Sequence, residues 1–291
     1  MASRDRMSDL LLEAAAQRGL PLPPPPREAA ALGDLAASLF LHSHRDARRM
    51  PREIAYLTTA VRRTFATSGG VVVAWEWGAS LGANRPLVVL VHGWGGHGAQ
   101  LGAFAQPLVA AGFRMLTFDS LGHGESDGHE THVPLVAQTL VEIAGQIGLP
   151  HALIGHSMGA AAAAMFAIDH AAPRGLVLLA PPLSQLERVT RVANRLQLTD
   201  DVRAVFGAEV ERRTGKRFAE VDMCGAARRA PCPLLVFHDP ADPDASFAGA
   251  EQIVALWQGA RLVPCPGRGH YRILTTPAIV RQAVEFIGGL R

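Results

Sequence analysis

Gly155-His156-Ser157-Met158-Gly159 joins two segments of opposite texture. Residues 151–154 before it form an apolar run that reads as a buried strand. Residues 160–167 after it are rich in alanine, the strongest helix former. A chain that changes from strand to helix so abruptly needs a tight turn, and the small residues around the serine permit one. The pattern predicts a strained backbone at Ser157, with its hydroxyl held above the end of a sheet. Gly155 and Gly159 stand where a Cβ would strike a neighbouring strand or helix. Alone, such a pentapeptide is a weak signal, because small residues are common. Its weight depends on what the rest of the chain supplies.

From residue 60 onward the chain alternates. Residues 61–66 and 71–77 flank Ser68-Gly69-Gly70, the pattern of a β-hairpin. Residues 87–91 are continuously apolar, as in a strand buried on both faces. A helix over 100–111, a strand over 113–118, a helix over 133–147 and the strand and helix around Ser157 follow. A strand over 175–179 closes at Pro181-Pro182. Residues 183–230 then break the alternation with two or three helices, rich in arginine, and no strand. A strand over 234–237, a helix over 247–257, a short strand over 261–264 and a helix over 278–287 complete the chain. Strands alternating with helices imply a mostly parallel sheet covered on both faces, with 183–230 inserted over one end of it.

The first 59 residues differ in character. Residues 1–20 suit a short amphipathic helix, and 21–26 are proline-rich and suit polyproline II. Residues 27–50 read as one helix, with Ala29, Leu32, Leu35, Leu39 and Phe40 near helical spacing. Arg45, Arg48 and Arg49 would fall in its last turn, and Pro51 would stop it. His42 and His44 are two apart on that helix and face different sides. The region is expected to pack on the main domain as an appendage; a lid or a dimer contact is the sharper alternative.

A serine hydroxyl becomes nucleophilic only when a base removes its proton in the transition state. Histidine suits that task, and its second nitrogen needs a carboxylate to hold the tautomer. Both partners should follow later strand ends, in the order Ser, acid, His. The strand over 234–237 runs into Asp239, Asp242 and Asp244. The strand over 261–264 runs into Gly267-Arg268-Gly269-His270. His270 is the expected base; the residues alone leave the three acids open. An oxyanion would need two fixed N–H donors. The amide of Met158 is one, and the loop after 87–91, with Gly93, Gly95 and Gly96, offers Trp94 as the other. Gly93 and Trp94 are also the expected contacts to an acyl group.

With these motifs in hand, residues 60–291 resemble the α/β-hydrolase fold superfamily, in its capped serine-hydrolase, esterase- and lipase-like branch. The resemblance rests on His92-Gly93-Trp94-Gly95, Asp119-x-x-Gly122-x-Gly124-x-Ser126, Gly155-His156-Ser157-Met158-Gly159, His238-x-x-x-Asp242 and Gly267-x-Gly269-His270, in that order. It implies an α/β fold: a mostly parallel eight-stranded sheet with helices on both faces, a mobile helical cap and an N-terminal helical extension. The divisions are 1–59 for the extension, 60–182 and 231–291 for the core, and 183–230 for the cap. The resemblance places the triad acid at Asp242, with Asp239 where the family pattern has glycine and Ala245-Ser246 in place of Val-Pro. It implies a structural role for 119–126. A serine at the elbow separates the chain from dehalogenases and epoxide hydrolases of this fold, which use aspartate there.

The implied activity is hydrolysis of small to medium carboxylic esters by Ser157, Asp242 and His270, with no cofactor and no metal. Thioesterase, aminopeptidase and acyltransferase activities use the same fold, and a non-catalytic binding module is the reading from another class. His123, His129 and His132 lie close in sequence, but no acidic or cysteine partner is spaced to complete a metal site with them. His97 and His156 are expected to pack or to face solvent. The net charge of +2 gives no reason to expect nucleic acid or an anionic membrane as partner. No stretch is long and apolar enough to be a membrane span. Cys224, Cys232 and Cys265 are scattered and odd in number, which suits a reducing, cytoplasmic compartment. The expected partner is a small-molecule acyl substrate; the sequence leaves the oligomeric state open.

Overall fold

A computed structural model describes residues 2–43, 48–229 and 231–290, with side chains from residue 6 onward. Eight strands form one sheet: β1 (Val61–Thr67), β2 (Gly70–Trp77), β3 (Leu87–Val91), β4 (Arg114–Phe118), β5 (Ala152–His156), β6 (Gly175–Leu179), β7 (Leu234–His238) and β8 (Ala260–Pro264). Their order is β1-β2-β4-β3-β5-β6-β7-β8. The hairpin β1–β2 and the β2–β4 pair are antiparallel, and β4 to β8 run parallel. The apolar runs explain the centre: every residue of β3, β5, β6 and β7 is buried. Crossover helices make that possible by covering both faces.

Two cores follow, one per face. Helices Val133–Ile147, Met158–Asp169 and Phe247–Leu256 close the first over Val89, Val91, Leu153 and Leu178. Helices Ala105–Ala110 and Pro277–Gly288 close the second over Val88, Leu90, Ile154 and Val177. The alanines of Met158–Asp169 let that helix sit close to the sheet; Ala160 to Ala164 are all buried.

A third core lies apart from the sheet. Met7, Leu11, Leu32, Leu35 and Phe40 from helices Ala2–Ala16 and Ala29–Leu41 bury against Val189, Val202, Phe206 and Val210 of the insertion. The insertion contributes helices Gln185–Arg195 and Asp200–Thr214, a short 3-10 turn Phe218–Val221, and helix Met223–Ala227. The first helices of the chain therefore pack on the insertion, and the two together roof one end of the sheet.

The single helix expected over 27–50 is corrected. The helix ends at Leu41, and a separate one spans Pro51–Leu57. Pro51 starts it rather than stopping its predecessor. Its missing N–H costs nothing in the first turn, and Glu53 accepts from the Met50 amide at 2.7 Å. Arg49 is thus no helix terminus. It pairs with Glu125 at 2.7 Å and Asp119 at 3.4 Å and lies over the Trp75 ring. His44 and Arg45 lie outside the described residues.

Candidate active site

β5 ends at His156, and helix Met158–Asp169 starts at once. Ser157 between them has φ 50° and ψ −119°. That region is unfavourable for any residue with a Cβ, and strain of this kind gathers at functional sites. The glycines explain how the turn closes. A Cβ on Gly155 would lie 2.5 Å from the Cα of Ala160, and one on Gly159 would collide with the carbonyls of Val91 and His92. Ser157 occupies the N-cap position, yet its hydroxyl makes no capping hydrogen bond. Serine at that position normally caps. Here the hydroxyl faces a cavity of about 350 Å³ shared with Met158, Trp94 and His270.

His270 is the second residue of a four-residue helix, Gly269–Arg272, rather than standing on a plain loop. Its Nδ1 donates to Asp242 Oδ2 at 2.8 Å. With that proton on Nδ1, Nε2 is left as the basic nitrogen. The other oxygen of Asp242 accepts from the amides of Asp244 and Ala245, at 2.7 and 3.1 Å. Burial opposes ionisation of Asp242. The bond to His270 and the two amides outweigh it and hold the carboxyl below the usual range.

Asp239 serves a different neighbour. Its carboxylate accepts from the amides of Gly269 and Ala241, which depress its own pKa. It fixes the backbone in front of His270 and does not meet the ring. Asp244 is exposed at the cavity mouth. Of the three acids on the loop, the structure brings Asp242 to the histidine.

The loop after β3 is built on histidines. The Gly95 amide donates to His123 Nε2 at 2.9 Å, and the Ser120 amide donates to His92 Nε2 at 2.9 Å. The Gly96 amide turns back to the Gly93 carbonyl. Trp94, between them, lines the cavity beside Met158. Gly93 does not line it, contrary to expectation. It is buried beneath the nucleophile, where a Cβ would stand 2.8 Å from His156 Nδ1. Glycine is needed there for close approach, not for contact with a ligand.

His156 is wholly buried under His270, with ring centroids 4.8 Å apart, and its Nε2 donates to the His270 carbonyl at 2.9 Å. Burial and the neighbouring His270 push its pKa down to about 3, so it packs as a neutral ring. His97 is likewise buried, 3.5 Å from Glu53. His123, His129 and His132 are not brought together: His129 stacks on His42, and His132 caps helix Val133–Ile147 by accepting from the Leu135 amide. Among the described residues, the group spaced to hold a metal ion is Asp242, Asp244 and His270, the candidate site itself. The 119–126 segment is a buttress, as expected. Asp119 is buried and accepts from the Gly98 and Glu125 amides, each at 2.8 Å.

Comparison with known proteins agrees with this fold. A family profile described as serine aminopeptidase, S33, matches residues 82–217. A membrane phospholipase A of known structure superposes with a TM-score of 0.62 at 19% identity, over 81% of this chain and 88% of that one. The chain has the α/β-hydrolase fold. An esterase from Thermogutta terrifontis has the same fold, at a TM-score of 0.57 and 22% identity, over 78% and 97% of the two chains. In sequence, a monoacylglycerol lipase of Mycolicibacterium smegmatis is 34% identical over 35% of this chain and 39% of its own length. The chain thus matches about two fifths of that relative.

The cavity has one wall that the sequence did not announce. Phe40, from the N-terminal helix, lies 6.3 Å from the Trp94 ring and edge-on to Phe206. The guanidinium of Arg188, from the insertion, lies over Trp94 at 4.0 Å and near Phe40 at 5.3 Å. Phe40 looks in sequence like any apolar helix residue, and Arg188 is one of ten basic residues in its segment. Only the packing separates them from their neighbours.

Proposed function

We propose that this α/β-hydrolase-fold protein is a serine hydrolase that cleaves carboxylic esters of small to medium size. The observation that carries the reading is the 2.8 Å bond from His270 to Asp242, in the cavity that also receives the uncapped hydroxyl of strained Ser157. Ser157 Oγ attacks the ester carbonyl while His270 Nε2 takes its proton. Asp242 keeps the other proton on Nδ1 and stabilises the imidazolium. The Met158 amide, at the start of a helix, and the Trp94 amide hold the developing oxyanion. Collapse expels the alcohol, which takes the proton from His270. Water then frees the acyl-enzyme by the same relay, returning serine and a carboxylic acid. No step calls on a metal or an organic cofactor. The similarity to a monoacylglycerol lipase supports an ester rather than an amide substrate.

A second reading follows from the aminopeptidase description of the matched family. A free amine would need unpaired carboxylates facing it from the cap. Glu187 on the cavity wall lies 3.6 Å from Arg191, and Arg188 places a cation in the same space. Both features favour an ester.

Among the described residues, no helix is long and apolar enough to cross a membrane, and the three cysteines are unpaired. The odd, scattered set of cysteines suits a reducing, cytoplasmic compartment. The deciding experiment is hydrolysis of p-nitrophenyl esters from acetate to dodecanoate by wild type and Ser157→Ala, with fluorophosphonate labelling in parallel. Turnover and labelling that both vanish in Ser157→Ala support the reading. A folded wild type that neither turns over nor labels sinks it and leaves a binding module.

A further inference from the structure

Helix Gln185–Arg195 presents Arg188, Arg191 and Arg195 along one wall of the cavity. Spacings of three and four put them on one helical face. Two of them are accounted for. Arg191 lies 3.6 Å from Glu187 and donates to the Asp244 carbonyl at 2.6 Å. Arg195 is exposed at the rim.

Arg188 is different. Its guanidinium rests on the Trp94 ring and beside Phe40, both apolar. Among the described residues no carboxylate lies within ion-pair distance of it, and no acceptor takes its N–H groups. The carboxylates nearby have other duties: Asp242 holds His270, and Glu187 faces Arg191. Burial, with Arg191 adding to it, pushes the Arg188 pKa down to about 10, so the side chain still carries its charge near neutrality. Arg188 is half-buried, and partly removing a cation from water without a counter-ion is costly. Stacking on a ring uses the face of the guanidinium and leaves its edge, with five N–H donors, open for a planar or tetrahedral oxyanion.

We infer that Arg188 is the receptor for an anionic group carried by the substrate, so that the preferred ester bears a carboxylate or similar oxyanion besides the bond that is cleaved. Stacked on Trp94, whose amide is the proposed oxyanion donor, Arg188 lies beside the reacting end of the cavity. Arg195 adds a positive charge at the rim, and Asp244 shares the cavity lining with it. The inference takes its ester chemistry from the serine-hydrolase reading, but the anion site itself stands on Arg188 alone.

The test compares esters matched in size. On the acyl side, p-nitrophenyl hemiglutarate is set against p-nitrophenyl hexanoate. On the leaving side, 3-carboxyphenyl acetate is set against 3-acetylphenyl acetate. The wild type is expected to favour the anionic member of one pair by about tenfold or more in kcat/KM, the scale of one charge-assisted bond. The pair that responds tells which half of the substrate Arg188 reads. In Arg188→Gln that ratio should fall to about one or below, and Arg188→Lys should restore part of it. A wild-type ratio of one or less in both pairs overturns the inference, as does a ratio unchanged in Arg188→Gln. A measurement without turnover separates this from the hydrolase reading: monomethyl glutarate should raise the melting temperature of Ser157→Ala and fail to do so once Arg188→Gln is added. Binding that depends on Arg188, without turnover of any ester, would overturn hydrolysis alone. Ester turnover with neither charge preference nor such binding would overturn the anion site alone.

Discussion

The backbone amide of Asp242 donates to the carbonyl of Asp239 at 3.1 Å, so the two acids are joined by a single turn. Their side chains leave that turn toward neighbouring residues of the short helix Gly269–Arg272. Asp239 reaches the Gly269 amide and Asp242 reaches the His270 ring. One acid sets where the histidine stands, and the other sets which of its nitrogens carries the proton.

That division has an experimental signature. Asp242→Asn should lower kcat for ester hydrolysis by about 10⁴-fold, because an amide cannot hold the same tautomer. Asp239→Asn keeps one acceptor oxygen for the Gly269 amide and should cost about tenfold, with a loss of stability of about 1–2 kcal/mol. Steady-state kinetics and urea denaturation of both variants decide. A larger kinetic loss in Asp239→Asn would reverse the assignment.

Strain at Ser157 can be released. Ser157→Gly removes the proposed nucleophile and the Cβ that disfavours φ 50°. The variant should be inactive and more stable by about 1 kcal/mol, the scale of one relieved backbone outlier. Ser157→Ala keeps the Cβ and should gain no such stability. Equal melting temperatures for the two variants would show that the turn stores no strain.

His156, His92 and part-buried His132 tie stability to pH. Burial pushes His156 down to about 3, and His92 and His132 to about 4. Their pKa values in the unfolded chain lie near 6.5, so below that pH the unfolded state binds protons that the folded state refuses. Stability should be fully present above about pH 6.5 and fall as pH drops from there toward 4, by up to about 1.4 kcal/mol per pH unit for each histidine. Asp242, depressed in the folded state, adds a loss only below the ordinary carboxyl range. Urea titrations at pH 7, 6 and 5 on wild type and His132→Asn should give a shallower pH slope for the variant. Identical slopes would refute the assignment for that residue.

The N-terminal extension should matter to the site. Phe40 is 5% exposed and packs on Trp94 and Phe206. Phe40→Ala should cost about 3–5 kcal/mol and raise KM, because the wall that carries Arg188 loses its backing. Phe40→Leu should recover most of the stability. A Phe40→Ala enzyme with native stability and KM would return the extension to the rank of an appendage.

What the sequence revealed follows from how each feature is encoded. Buried parallel strands are continuous apolar runs, so β3, β5, β6 and β7 could be read almost to the residue. Ser157 and His270 stand beside glycines in chain order, and both enter one cavity. The acid was less legible. Asp239, Asp242 and Asp244 share a loop, and only the direction of each carboxylate separates them. The 27–50 region misled because Ala29–Leu41 gives no strong stop signal, and a proline that opens a helix resembles one that ends it. Arg188 was one of ten basic residues in the insertion, which left an anionic substrate or a solvated helix surface open, and Phe40 was one apolar residue among many. Neither could be singled out, since their role depends on a contact between distant parts of the chain. Gly93 was assigned to the ligand on its position in the loop, and its true neighbour, His156, lies in the elbow.

The third core, shared by the first helices and the insertion, has a consequence for the order of folding. Phe40 and Phe206 belong to segments separated by most of the sheet, and the gap between them is closed by β1 to β6. Contacts of such long sequence separation form only after the loop between them has been shortened by other structure. The sheet and the elbow should therefore assemble first, and the roof that carries Arg188 should dock afterwards. Substrate selection would then be acquired as a late event, on a nucleophile already in place.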